Sequence, residues 1–544
     1  MTRSAAVALV LLLSQAGAPV RDAAVWGRFE TQFTASRDYD NALYDIARFA
    51  VHFTSPSGRV KTVHAFWDGG RSWRVRFMPD ERGAWSYVTE VAGKENAELN
   101  GLRGTFTAAD QSGAASALSR NGALHHPRGA YHLAHADGTP FFWAACTAWN
   151  GALKSTDDEW EEYLTDRVRA GYSVVQFVTT QWRGAAEDEK GDVAFDGSGR
   201  IRIHPAFFQR LDRKIDRINA HGLVAAPVVL WALQRGVNRE LSPGYHLPDP
   251  EAIVLARYII ARYGAHHVVW LLGGDGLYTN EYEQRWKNIG RAVFGKGEFQ
   301  GVAGIHSQGR SWIGQEYAAE TWLDVLGYQS SHNTDAATVN WITKGPVARD
   351  WARLPPRVLI NMEPAYEASG TPPIAARDVR SASYWSLFST PVAGISYGGN
   401  AIWPWSRAAG EPLFGHPPRR AATTWREALR LPGSVQIGHL AGFFRRVAWW
   451  TLRPAQELLL DQPGDRDYRR HISVMRSDDG ALIAVYAAGP DSIRLANPFG
   501  HRYDVQWFDP VAGRAQSGAA AGPVSIVELA SPFAEDAVLI LRRQ

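Results

Sequence analysis

Hydrophobic and polar positions follow two rhythms along this chain. From 130 to 438, continuous apolar runs alternate with segments whose apolar residues recur at helical spacing. The runs are PFFWAAC, SVVQFV, LVAAPVVL, VVWLLGG, GVAGIHS, DVLGYQS, RVLINME and VAGISYG. A run that is apolar on both faces suits a strand covered on both sides, as in a parallel sheet. Between them, TDDEWEEYLTDRVRAG opens with Thr156 and Glu159 at capping-box spacing and puts Trp160, Tyr163, Leu164 and Val168 on one face. PAFFQRLDRKIDRINAHG starts at Pro205, stripes Phe208, Leu211, Ile215 and Ile218, and ends at Gly222. A third helix begins at DPEAIVLARYIIARYG. Eight such units predict an α/β chain built on a (β/α)8 TIM barrel. An open doubly wound sheet is the rival, but no glycine-rich phosphate loop follows the first strand.

On either side the rhythm shortens to strict alternation. Phe49-Val51-Phe53 and Trp73-Val75-Phe77 alternate with polar residues between SPSG and DGG turn signals, which predicts an N-terminal β-sandwich over 25–109. Residues 110–129, small and polar at first, read as a linker. ALIAVYAA, YDVQWFDPVAG and AVLILRR predict a second β-sandwich over 439–544. At the start, Arg3, an apolar run from Ala5 to Leu13 and small residues at Ala16 and Ala18 read as a secretory signal over 1–20, so a secreted or periplasmic protein is expected.

Composition narrows the function classes. With 544 residues and a net charge of +3, the chain has no basic tract of the kind nucleic-acid binders carry. No stretch is long and apolar enough to predict a membrane span. The 22 tryptophans suit both core packing and stacking on sugar rings. The single cysteine, Cys146, rules out an intramolecular disulfide. No His, Asp or Glu spacing suggests a metal site, no Gly-x-Ser-x-Gly elbow is present, and no cofactor is implied.

In such barrels the loops after the strands form the active face, so polar residues at strand ends carry function. Asp275 ends the fourth apolar run and Glu363 the seventh. Two carboxylates facing each other across a barrel mouth are the minimum equipment for glycoside hydrolysis. Structural readings stand beside this: Asp275 as an acceptor in a tight Gly-Gly turn, Glu363 as a solvated loop residue. His306, Tyr328, Gln329 and His332 follow runs five and six, where they suit hydrogen bonds to sugar hydroxyls. Trp149 and Trp403 follow runs one and eight, where they suit an aromatic floor. Glu367 reads as a rim residue and Gln176 as part of the barrel interior.

VVWLLGGDG, LINMEPAYE, DGTPFFWAACTAW and YQSSH together resemble the barrel of the apiosidase-like glycoside hydrolases, family 140. The segments VWGRFETQF to LRGTFTAAD are similar to the β-domain that often precedes such barrels. FFRRVAWW and WFDPVAG resemble a β-domain named for collagen binding. The resemblance implies a retaining hydrolase with Asp275 as acid/base and Glu363 as nucleophile, acting on an oligo- or polysaccharide, with exo action on a furanoside expected. One departure stands out. Where such barrels read GDTAW, this chain reads ACTAW, with Cys146 in place of an aspartate expected near the sugar. A non-catalytic carbohydrate-binding protein on a degenerate barrel is the alternative that this departure and the two flanking β-domains support.

Overall fold

The computed structural model describes residues 22–110, 116–295, 299 and 301–544. The signal-like segment 1–20 and residues 111–115 of the expected linker lie outside the described residues.

At the centre, eight parallel strands close into a barrel: β1 (Trp143–Thr147), β2 (Val174–Val178), β3 (Val224–Trp231), β4 (Val269–Gly276), β5 (Val302–Gly309), β6 (Val325–Gln329), β7 (Val358–Glu363) and β8 (Gly394–Tyr397). The ring is completed by β8 pairing with β1, from Trp143 opposite Gly394 to Cys146 opposite Tyr397. Each of the eight apolar runs supplies one strand. The principal helices around them are α1 (Asp157–Arg169), α2 (Pro205–Ala220), α3 (Asp249–Tyr263), α4 (Glu283–Phe294), α5 (Ala336–Lys344), α6 (Ala376–Phe388) and α7 (Pro432–Phe444).

Local chemistry explains where the helices begin. The Thr156 hydroxyl accepts the Glu159 amide at 3.2 Å, and the Glu159 carboxylate accepts the Thr156 amide at 3.0 Å, so α1 carries a complete capping box. Its buried face includes Trp160, Tyr163 and Leu164, as the pattern predicts, but Val168 points outward and Arg167 takes the inward position. The guanidinium tolerates burial because it donates to the Ser434 hydroxyl at 2.8 Å and the Leu429 carbonyl at 3.0 Å, and sits over the Tyr172 ring. In α2, Phe208, Leu211, Ile215 and Ile218 are all buried, and Gly222 beyond its end has φ +74°.

Two expectations about the edges of the barrel need correction. Residues 116–129 are not unstructured: Ala117–Asn121 is helical and Leu124–His125 joins a three-stranded sheet, because Leu118 and Leu124 find apolar cover. Nor does the barrel unit stop at 438, since α7 runs on to Phe444, whose ring stacks on Phe142 just before β1.

The flanking β-rich units are anchored by buried ions. In the N-terminal sandwich the Phe29 and Phe106 rings stack at 4.0 Å and Phe53 and Phe77 at 4.1 Å between two sheets. Arg76 leaves that sandwich to grip Asp212 of α2 at 2.7 Å, and Arg262 of α3 grips the same carboxylate at 2.7 Å. Such a group is stable only while its partners stay in place. On the other side, Arg380 of α6 pairs at 2.7 Å with Asp536 of the C-terminal sheets, and the Tyr486 hydroxyl donates to Asp536 at 2.9 Å. A cavity of about 1,040 Å³ lies between the N-terminal sandwich and the barrel, around residues that precede β4 and β5. It is at the barrel end opposite the strand-end carboxylates. Among the described residues no helix is long and apolar enough to cross a membrane.

Candidate active site

Packing dictates the two glycines that end the fourth apolar run. A Cβ on Gly274 would come within 2.7 Å of Trp231 and 2.8 Å of Val228, and one on Gly273 within 2.5 Å of the Tyr278 hydroxyl. The β4–β5 pairing also shifts register after Leu271 and again after Gly274. Irregular pairing of this kind re-aims side chains at barrel rims. Asp275 follows with φ +51°, a left-handed conformation that residues other than glycine rarely adopt. Its carboxylate accepts a hydrogen bond from Gln329 Nε2 at 3.0 Å, at the end of β6.

Glu363, at the end of β7, pairs in register with Gln329 and is buried. His306 on β5 links the two carboxylates. Its Nδ1 accepts the Asp275 amide at 3.2 Å, so the ring proton of the neutral form sits on Nε2, 3.3 Å from Glu363 Oε2. His306 Nε2 thus faces the Glu363 carboxylate at close range. His332 lies on the other side of Glu363. Its Nδ1 donates to the Pro364 carbonyl at 3.0 Å, and its Nε2 lies 3.4 Å from Glu363 Oε1. His332 thus spans the Pro364 carbonyl and the Glu363 carboxylate.

This environment drives the two carboxylates in opposite directions. Burial, with the charge of Glu363 added to it, pushes the Asp275 carboxyl up to about 6. Burial also works to raise Glu363, but hydrogen bonds and charge from His306 and His332 outweigh it and hold this carboxyl well below the usual range. One group keeps a proton at mildly acidic pH while its neighbour stays ionised. That is the division an acid and a nucleophile require.

Aromatic side chains wall the same space. Trp149 donates through Nε1 to the Tyr366 hydroxyl at 3.0 Å, and its ring lies 5.4 Å from both Trp231 and His306. Tyr366 in turn lies 4.3 Å from His332. Trp182 contacts Trp231 at 4.2 Å and faces Trp403 at 6.5 Å, and Trp403 packs on His416 at 4.7 Å.

The structure thus brings together Asp275, Glu363, His306, Gln329, His332 and Trp149, with Trp403 at the far end of the aromatic wall. Tyr328 is not among them. Successive residues of a strand point to opposite faces, so with Gln329 in the mouth the Tyr328 ring turns outward onto Trp341 of α5. Glu367 is not a rim residue either. It is buried, accepting the Gly433 and Ser434 amides at 2.9 and 3.1 Å at the start of α7 and the Tyr397 hydroxyl at 2.7 Å. Cys146 is likewise away from the mouth: its thiol is fully buried against Arg167 at 4.0 Å, and burial pushes its pKa up. The cysteine therefore takes no charge from the mouth, and the ACTAW departure no longer supports the degenerate-barrel alternative. Gln176 lies in the barrel interior, accepting the Ser396 hydroxyl at 2.5 Å.

Sequence reasoning missed Trp231, Tyr366, Arg183 and His416. Trp231 ends β3 and was open to the same strand-end rule. Tyr366 lies three residues past Glu363. Arg183 and His416 meet across long loops after β2 and β8, with Arg183 Nη1 2.6 Å from His416 Nε2, and no local pattern announces that contact. Among the described residues no group of three or more His, Cys, Asp or Glu is placed to hold a metal ion.

A parallel eight-stranded barrel, a mouth with two oppositely tuned carboxylates and an aromatic wall define a class: glycoside hydrolases. The chain belongs to the apiosidase-like family, whose profile, "Apiosidase-like, catalytic domain", matches residues 128–451. A domain of unknown function, DUF5060, matches 22–92, and a profile for a collagen-binding domain of a collagenase matches 453–542. A family 5 glycoside hydrolase from Bacteroides vulgatus has TM-score 0.68 and 21% identity over 78% of this chain and 94% of its own. Another structure, named simply glycoside hydrolase, has TM-score 0.67 and 20% identity over 79% and 99%. At such identities the likeness is one of fold. No curated protein matches the sequence.

Proposed function

We propose that this glycoside hydrolase works with retention of configuration, Asp275 serving as acid/base and Glu363 as nucleophile. The observation that carries this reading is the opposite tuning of two carboxylates that share His306. In the first step Asp275 gives its proton to the leaving oxygen while Glu363 forms a glycosyl ester; in the second, Asp275 takes a proton from the attacking water. Trp149, His306, Gln329 and His332 are the contacts for the sugar undergoing cleavage. Exo action is supported by the β8 loop, which crosses to the β2 loop and is tied there through Arg183 and His416. The family name supports an apiofuranoside or related furanoside at the end of a polysaccharide side chain. The apolar run near the start supports export.

Proton NMR of the first-formed product tests the mechanism. Substrate comes from a panel of nitrophenyl furanosides and pyranosides and plant cell-wall oligosaccharides. The expected product keeps the anomeric configuration of the substrate; inversion would assign Glu363 to activating a water instead.

A further inference from the structure

Gln329 ends β6 at a point where the barrel pairing slips on both sides. Along β5 the register shifts between His306 and Gly309, and along β6 it shifts between Tyr328 and Gln329. Those slips set the Gln329 backbone opposite Gly309 on one side and Glu363 on the other. The Arg310 amide donates to the Gln329 carbonyl at 2.9 Å, which ties this backbone to the end of β5. The buried side chain then reaches past β5 to β4. It lies beside Gly309, where a Cβ would be 3.7 Å from Gln329 Oε1, and its Nε2 donates to Asp275 Oδ1 at 3.0 Å.

A donor held on one carboxyl oxygen has two effects. It occupies Oδ1, so the proton of the neutral acid sits on Oδ2, because an N–H and an O–H cannot both point into one contact. It also favours the ionised form, to which it bonds more strongly. Burial and the charge of Glu363 raise the Asp275 carboxyl to about 6, and the Gln329 bond works against both. The charged or titratable groups that face Asp275 are Glu363 of β7, His306 of β5, His332 after β6, Arg183 after β2 and Tyr278 after β4. Gln329 is neutral and acts on the acid through its hydrogen bond alone.

We propose that Gln329 is a positioning residue for the acid: it holds Oδ1 so that Oδ2 delivers the proton to the leaving oxygen. The assignment rests on Asp275 being the acid. In the second step the same bond steadies the carboxylate that takes a proton from water.

Gln329→Met keeps the length of the side chain and removes the donor. The test uses two substrates of the sugar that the nitrophenyl panel identifies. An oligosaccharide needs the proton on its leaving oxygen, whereas a dinitrophenyl glycoside needs little help. For Gln329→Met the ratio of kcat/KM, oligosaccharide over dinitrophenyl glycoside, should fall about tenfold, as loss of one hydrogen bond to a charged group implies. The limb of kcat/KM that falls through about pH 6 in the wild type should move to higher pH, because the ionised form has lost a donor. Gln329→Glu, which sets a second carboxyl beside Asp275, should move the limb further the same way. A limb that stays in place or moves down in both variants overturns the assignment. So does an equal loss on both substrates, which marks a sugar contact. An Asp275→Asn variant that loses the same factor on both substrates overturns instead the acid reading beneath it.

Discussion

His306 Nδ1 accepts the backbone amide of Asp275 at 3.2 Å while its Nε2 lies 3.3 Å from Glu363. One imidazole therefore fixes the backbone that aims the acid and faces the carboxylate that must stay ionised. The opposite tuning of the pair predicts the pH profile. Asp275 must be protonated, so kcat/KM should be high below pH 6 and fall as pH rises through about 6. Glu363, held low, should add no acidic limb above the ordinary carboxylate range. The stability sign follows from the same shift. A carboxyl raised above its ordinary 3.8 favours the fold while protonated, and that contribution is lost as pH rises through about 6. Asp275→Asn should therefore be stabilised relative to wild type at pH 8 more than at pH 5. Thermal denaturation at the two pH values measures this, and an unchanged difference would contradict the tuning.

His332 donates to the Pro364 carbonyl and places its other nitrogen 3.4 Å from Glu363. His332→Asn should let the Glu363 carboxyl rise and make an acidic limb visible in the profile. The loss of one contact to a charged group should lower kcat/KM by roughly 10- to 100-fold. A merely structural role would lower activity without moving the acidic limb.

Gly274→Ala tests the local cause of the mouth's geometry. The new Cβ would meet Trp231 at 2.7 Å and Val228 at 2.8 Å, both buried. Overpacking of that kind costs about 1–3 kcal/mol and should move Asp275 with it. Activity should fall more than stability, read by kcat and by denaturation together.

The barrel was legible because a fully covered parallel strand leaves a bare apolar run, and eight of them recur with helices between. Asp275 and Glu363 were legible because a carboxylate breaks such a run. Side-chain direction was harder. Nothing in GYQS separates Gln329, which faces the mouth, from Tyr328, which faces α5; the facing depends on register around the ring. Arg167 replaced Val168 inside because partners at Leu429 and Ser434 await it more than 260 positions away. Separation in sequence, 66 and 67 positions, likewise hides Glu367, whose role as acceptor for α7 depends on residues 433 and 434.

Cys146, on β1, packs against Arg167, and burial pushes its pKa up. The thiol is thus a packing group, and Cys146→Ser should keep its turnover. Kinetics with the folded variant check this, since loss of turnover with the fold intact would return Cys146 to the chemistry.

The two carboxylates should separate by role. A retaining nucleophile cannot be bypassed, whereas the acid matters only as far as the leaving group is poor. Glu363→Gln should lose activity on every substrate, activated phenols included. Asp275→Asn should lose roughly 100- to 10,000-fold on natural glycosides yet keep much of the first step on activated ones. Azide should then restore turnover of Asp275→Asn, because it attacks the glycosyl ester without help from a base, and the azide product should retain the substrate's configuration. With Glu363→Ala, azide should attack the sugar directly and give the opposite anomer. Nitrophenol release and NMR of the azide adducts distinguish these outcomes. If both variants lost the same factor on activated and natural substrates, Asp275 would not be the acid. Its position about His306 would then describe a binding contact.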